Sequence, residues 1–217
     1  GLPLVKVNAF KMGPLPPFLE APARYLKNLA KPEEAKKIYD QVKQTGLYDQ
    51  KHKFYQTSVS LENESFEIGR LKAFTPGWLE RESNFLHMTY KYLLGLLKSG
   101  LYDIFYEEMK TNYTCFMDPE VYGRSPIENS SFIATSSNPD PKKHGQGFVS
   151  RLSGSTAEVL SMFTYMFYGK ELFKYEGEEL IFELKPKLNK AFFLDHKVET
   201  TLFKDIKLTY RNEKLVH

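Results

Sequence analysis

The sequence predicts a mainly α chain closed by a small β tail, with helices of the kind that build an α/α toroid or solenoid. Three observations carry that expectation. Nine of the thirteen residues at 85–97 are apolar or aromatic and point all round a helix instead of along one stripe, as they do in a helix buried on most sides. The next stretch, 101–112, is amphipathic, with Leu101, Ile104, Phe105 and Met109 on one face and Asp103, Glu107, Glu108 and Lys110 elsewhere. A buried helix followed by a half-exposed one is the repeating unit of such folds. Beyond Gly169 the period shortens to two, with Leu180, Phe182 and Leu184, and later Ile206, Leu208 and Tyr210, alternating with polar or oppositely facing neighbours, which reads as a short antiparallel sheet.

The elements follow in order. Pro3, Pro14, Pro16, Pro17 and Pro22 deny the opening stretch a continuous helix, because proline lacks the N–H and biases its predecessor toward extended geometry; such a stretch should run over another part of the fold. A short helix is expected over 23–30. A better one is expected from Pro32 to Gln44, with proline and two acids in its first turn and Gly46 as its stop. The segment 62–71 is ambiguous, and Pro76-Gly77 marks a turn. The buried helix is expected over 83–98 and its partner over 101–112. A polar connection at 118–151, holding four prolines and three glycines, is longer than the roughly 15 residues of an ordinary structureless loop and so is where a site is expected. A third apolar helix should cover 155–168. The domain division expected from this grammar is 1–169 helical and 170–217 a small C-terminal β region.

Composition excludes several function classes. At 217 residues, 41% hydrophobic and 26% charged, with mean hydropathy −0.45, the chain can bury a core, and no apolar run approaches the roughly 18 residues of a membrane span. Thirty basic against 27 acidic residues leave a net charge of +3 spread along the chain, without the basic stripe that nucleic acid requires. The single cysteine, Cys115, excludes an internal disulfide framework and points to a reducing, cytoplasmic setting. Five histidines show no ligand spacing, so no metal is expected, and neither a nucleophile elbow nor a Cys/His signature is present. Aromatic residues make up 15% of the chain, enough to fill a helical core and leave rings to stack on sugars.

Two places carry chemistry. In Arg151-Leu-Ser-Gly-Ser-Thr-Ala-Glu158, Ser155 and Glu158 have the spacing of a capping box, Gly154 lets the backbone approach a ligand, and Arg151 adds charge beside free helix-end N–H groups. That combination describes an anion site, although the same cap forms where nothing binds. His87 lies in the most apolar helix, where a lone histidine is ordinarily a hydrogen-bonded core residue, yet Trp78, Glu80 and Glu82 precede it closely. A mixture of indole, carboxylates and imidazole suits a hydroxyl-rich ligand. His144 with Lys142 and Lys143 could add positive charge around an anion, or form a solvated basic loop.

These motifs resemble those of glycoside hydrolase family 94, the inverting disaccharide and oligosaccharide phosphorylases. Glu80-Arg-Glu-Ser-Asn-Phe-Leu-His87 ahead of a long apolar helix and Arg151-Leu-Ser-Gly-Ser-Thr-Ala157 are similar to two of that family's blocks. Phe74-Thr-Pro-Gly-Trp-Leu-Glu80, Tyr122-Gly-Arg-Ser-Pro-Ile-Glu-Asn-Ser-Ser-Phe132 and His144-Gly-Gln-Gly-Phe-Val-Ser-Arg-Leu-Ser-Gly-Ser-Thr156 look closest to the branch acting on β-1,2-linked glucans, which includes the cyclic glucan synthases. The resemblance implies an (α/α)6 barrel catalytic domain followed by a short antiparallel β-sheet region. It also implies a phosphate site at His87, Ser153 and Gly154, with Glu80, Arg124, Glu128 and Arg151 as substrate contacts. The family carries Thr-Gly where this chain has Ser153-Gly154, and a Gly-Gly-like step where it has Ser83-Asn84.

What the resemblance then implies for function is the C-terminal part of an inverting β-glucan phosphorylase, with inorganic phosphate as co-substrate and no cofactor. No catalytic residue is assigned within this chain, because the family's general-acid aspartate lies upstream of these motifs. Partners are a β-linked gluco-oligosaccharide, phosphate, and the remainder of the barrel or a second chain. A non-catalytic carbohydrate-binding or helical interaction module, or a transglycosylase on the same fold, would use the same residues differently. If missing neighbours had shaped these helices, Phe85, Leu93, Leu97, Met162 and Phe163 should be bare of cover, and the chain alone should be associated and inactive.

Overall fold

The computed structural model describes residues 4–10, 12–28, 31–149 and 153–214. Six helices form among them: α1 (Glu20–Leu26), α2 (Pro32–Gln44), α3 (Leu86–Lys98), α4 (Tyr102–Asn112), α5 (Pro119–Tyr122) and α6 (Ser153–Tyr168). Nine short strands make four small antiparallel sheets. β1 (Tyr48–Asp49) pairs with β2 (Phe54–Tyr55), and β3 (Asn84–Phe85), β4 (Phe132–Ile133) and β5 (Gly147–Phe148) form one sheet with β4 in the centre. In the tail β6 (Phe173–Glu176) pairs with β7 (Glu179–Phe182), and β8 (Lys197–Leu202) pairs with β9 (Ile206–Arg211).

The all-round apolar pattern at 85–97 has its expected consequence, since ten of the thirteen residues of α3 are buried. Their partners, however, do not form a barrel. A toroid needs an inner ring of helices facing a lumen and an outer ring behind it. Here α1, α4 and α6 all pack directly on α3, which makes one central helix wrapped by three. The strands lie in four separate small sheets, not in one closing sheet, so the expected (α/α)6 barrel with a terminal β region is overturned.

Why α3 accepts so many neighbours is visible at Gly95, where a β-carbon would stand 2.8 Å from Leu26 Cβ of α1. Only glycine permits that approach. α2 begins at Pro32 as expected, with Glu33 and Glu34 in its first turn, where acids favour the positive end of the helix dipole. It is tied to α4 by Glu108, which accepts from the Tyr39 hydroxyl at 2.6 Å and from Lys43 Nζ at 2.8 Å. Glu108, expected on the outer face of its helix, is therefore buried.

The long connection at 118–151 is not structureless, for it supplies α5, β4 and β5. The sheet they complete delivers the chain into α3, since Phe85 pairs with Phe132, Phe132 pairs with Phe148, and Leu86 N–H donates to the Ser131 carbonyl at 3.0 Å. Asp49 anchors the same connection to the β1–β2 hairpin, accepting from Ser136 N–H and Ser136 Oγ, both at 2.8 Å. The tail packs on the end of α6, with the Tyr210 hydroxyl donating to the Phe167 carbonyl at 2.7 Å and the Tyr168 hydroxyl to the Thr201 carbonyl at 2.9 Å. Leu202 belongs to the same buried apolar cluster as the helices.

Two further expectations are corrected. The proline-rich opening runs over the fold only in its later part, where the Pro17 carbonyl accepts from Val59 N–H at 3.2 Å and Leu19 is buried, while Leu4, Phe10 and Met12 before it are exposed. Leu93, Leu97 and Met162 are fully buried and Phe85 is half-buried, so of the five residues expected to be bare only Phe163, at 43%, is exposed. The reason is again α3, whose faces are covered by helices of this chain itself.

Candidate functional site

His87 is the second residue of α3, placed by a strand that runs straight into the helix. Asn84 secures that entry by accepting from Thr89 Oγ1 at 2.7 Å. Gly154 is the second residue of α6, which packs against α3. The two meet ring to backbone, because a β-carbon on Gly154 would lie 2.6 Å from His87 Nδ1 and 2.8 Å from Cγ. No side chain fits there. From one turn further along α6, Glu158 presents Oε1 at 3.7 Å from His87 Nε2; residues four apart share a helix face, so Gly154 and Glu158 bracket one ring. The Phe85 ring meets His87 edge-on at 6.0 Å.

Burial pushes the His87 pKa below its usual value of 6.5, with Lys91 acting in the same direction, while Glu158 and Glu20 oppose them. The ring is therefore neutral at pH 7, with one N–H and one bare nitrogen. If Nε2 carries the proton toward Glu158, Nδ1 faces the Gly154 backbone and can donate to an anion only after taking up a second proton. Ser155, expected to cap the helix, lies inside it as the third residue, fully buried and with no hydrogen-bond partner for Oγ among the described residues. Glu158, expected to close that cap, turns to His87. The positive end of a 16-residue helix therefore lies beside the His87 ring.

The other expected residues are engaged elsewhere. Glu80 is held by Arg70 in a forked pair at 3.1 and 2.8 Å. Arg124 pairs with Glu128 at 2.7 Å and donates to the Gly147 carbonyl at 2.9 Å, which fastens the 124–128 turn to β5. None of these three makes a hydrogen bond or ion pair with His87 among the described residues. Arg151 and the side chain of Ser153 lie outside what is described. His144 binds the Asn138 carbonyl at 2.8 Å, with Lys51 Nζ 3.3 Å from its other nitrogen, so it serves the loop and not the surroundings of His87. No group of three or more acidic, histidine or cysteine side chains able to hold a metal forms among the described residues.

What sequence reading missed is Glu158 as the partner of His87. The signal was present, since Gly154 and Glu158 are one helical turn apart, but the capping-box spacing from Ser155 claimed the same carboxylate. It also missed how the rings connect. Trp78 lies flat on Phe148 at 3.6 Å, and the stack continues through Phe132 and Phe85 toward His87.

No protein-family model matches this chain. No curated protein matches it either. No helix among the described residues is long and apolar enough to cross a membrane.

Proposed function

We propose that this chain supplies the phosphate site and part of the sugar site of an inverting β-glucan phosphorylase, in a cytoplasmic enzyme whose general acid lies outside it. The observation that carries this reading is the seating of the His87 ring on Gly154, which brings two motifs 67 positions apart in the sequence into contact. A histidine and a side-chain-free backbone at a helix start are groups that suit a tetrahedral anion.

In the proposed reaction inorganic phosphate, held there, attacks the anomeric carbon of a β-linked glucosyl unit. The glycosidic C–O bond breaks, an aspartic acid of the upstream part gives its proton to the departing oxygen, and α-glucose 1-phosphate leaves with inverted configuration. Phosphate occupies the place that a base-activated water holds in an inverting hydrolase. Holding the nucleophile within about 3–3.5 Å of the carbon is the principal service of such a site. Glu80, Arg124, Glu128 and Arg151 are the proposed sugar contacts, and 1-phosphate release would need both the gluco-oligosaccharide and phosphate as partners.

The test uses the complete enzyme. Degradation of β-1,2-gluco-oligosaccharides should require phosphate and yield α-glucose 1-phosphate, and His87→Asn should remove that activity. Phosphate-independent transfer between glucans would make the chain part of a transglycosylase instead. Binding of glucan by an enzyme with no turnover in either condition would make it a carbohydrate-binding module.

A further inference from the structure

Where the β1–β2 hairpin meets the connection at 118–151, two histidines that the proposed reaction does not use stand edge to face. The His52 and His144 rings lie 5.7 Å apart at 82°. His52 stacks on Phe54, and its Nε2 is buried with no hydrogen-bond partner among the described residues. His144 Nε2 lies 2.8 Å from the Asn138 carbonyl. A carbonyl only accepts, so Nε2 carries the proton and Nδ1 of the neutral ring is a bare lone pair. That lone pair accepts from Lys51 Nζ at 3.3 Å. Asp49, on the same hairpin, accepts from Ser136 N–H and Oγ across the gap and from the N–H groups of Lys51 and His52 in its own turn.

This contact suits two rings that each carry one proton. A second proton on His144 turns Nδ1 from acceptor to donor and sets a positive ring against the Lys51 ammonium, so the hydrogen bond across the gap becomes a repulsion. A second proton on His52 charges a ring whose Nε2 meets no acceptor. Burial holds the His52 pKa below 6.5, Lys51 and His144 act in the same direction, and Asp49 opposes them. Lys142 and Lys143, beside His144 in its own turn, add positive charge. The other neighbours meet the pair through uncharged groups. α4 reaches the hairpin through Asn112 and Thr111, which donate to the Lys53 carbonyl, and α5 reaches the connection through Val121, which stands against Gly145.

We propose that Lys51, His52 and His144 form an acid-released latch: the Lys51–His144 hydrogen bond closes it at neutral pH, and protonation of the two rings lets residues 137–144 leave the β1–β2 hairpin. The release is local. Ser136 stays tied to Asp49 on one side, and on the other Gly145 N–H donates to the Ala134 carbonyl at 2.8 Å. What the latch holds in place is the turn before Trp78. Gly77 has φ of +67°, and a β-carbon there would lie 2.5 Å from the Asn138 nitrogen, so the 137–144 segment presses directly on that turn. Trp78 in turn lies flat on Phe148. The latch stands on this contact alone and is independent of the function proposed above.

The experiment titrates the 217-residue chain from pH 7.5 to 5 while following the fluorescence of Trp78, its single tryptophan, with far-UV circular dichroism recorded alongside. A reversible change in emission is expected, with a midpoint at about pH 5–6.5, while the helix signal holds. His144→Gln keeps an acceptor for Lys51 without a ring that titrates, and should reduce the amplitude at least about twofold. Lys51→Met, at an exposed position, removes the charge that the imidazolium repels and should reduce the amplitude as well. His87→Asn should leave the transition as it is. Emission that stays constant until the helix signal is lost overturns the latch. So does a transition of wild-type midpoint and amplitude in Lys51→Met and His144→Gln, or one that disappears in His87→Asn.

Discussion

At Gly154 two opposing effects of one methyl group can be weighed. In a helix, alanine is ordinarily better than glycine by about 1 kcal/mol. Here the added carbon would overlap the His87 ring at 2.6 Å, and overpacking of that kind costs about 1–3 kcal/mol. We expect Gly154→Ala to lower stability by about 1 kcal/mol net, read by urea denaturation, and to displace His87 from the proposed anion site. A gain in stability would show that the ring moves freely. The same ring sets a pH dependence. His87 and His52 both have pKa values below 6.5 through burial, so between those values and 6.5 the unfolded chain binds more protons than the folded one. Stability should therefore be complete above about pH 7 and decline as pH falls through 6.5, a trend that melting curves from pH 7.5 to 5 would check. Anion binding runs the other way, because a bound anion favours the doubly protonated ring. Sulfate, whose charge is constant over this range, should bind more tightly at pH 6 than at pH 7.5, and an unchanged affinity would remove His87 from the proposed anion site.

Among the elements, the contact between α2 and α4 depends on one buried carboxylate. Replacing Glu108 with alanine would leave Lys43 and the Tyr39 hydroxyl without their acceptor. Breaking a fully buried pair costs about 3–5 kcal/mol; with Lys43 a quarter exposed, we expect a loss of about 2 kcal/mol in denaturant unfolding. A loss below 0.5 kcal/mol, the scale of a surface pair, would contradict the placement of Glu108. The elements also show what the sequence could disclose. The proline start and glycine stop placed α2 from Pro32 to Gln44 with both ends correct, because caps are local chemistry. The all-round apolar pattern of α3 disclosed its burial but not its neighbours, since burial is a property of one helix and packing partners are not. Two-residue strands such as β3 and β5 left no period to read; β3 finds its partner β4 more than 45 positions away, and β5 pairs with the same strand from beyond a loop.

For the whole molecule, the barrel expectation failed because a buried helix can be central in a small cluster as easily as in a ring, and periodicity does not separate the two. The candidate site fared differently. His87 and Gly154 were paired by the resemblance, and they touch; Glu80, Arg124 and Glu128 came from the same resemblance, and each is bound to another residue. Apolar surface is exposed on α6, at Leu160 and Phe163, and on the tail, where Phe173, Phe182 and Phe203 are about half exposed and the Phe173 and Phe203 rings bridge the two hairpins at 6.0 Å. Exposed patches of this kind on short edge strands promote association. Light scattering should find the chain associating at high concentration, and changing all three to serine should suppress this with little effect on melting temperature. The central claim is that His87 and Gly154 hold phosphate. Titrating the 217-residue chain with inorganic phosphate while following the His87 ring resonances tests it most directly. The account predicts a saturable shift of those resonances that is lost in Gly154→Ala, and an unmoved His87 at saturating phosphate would contradict it.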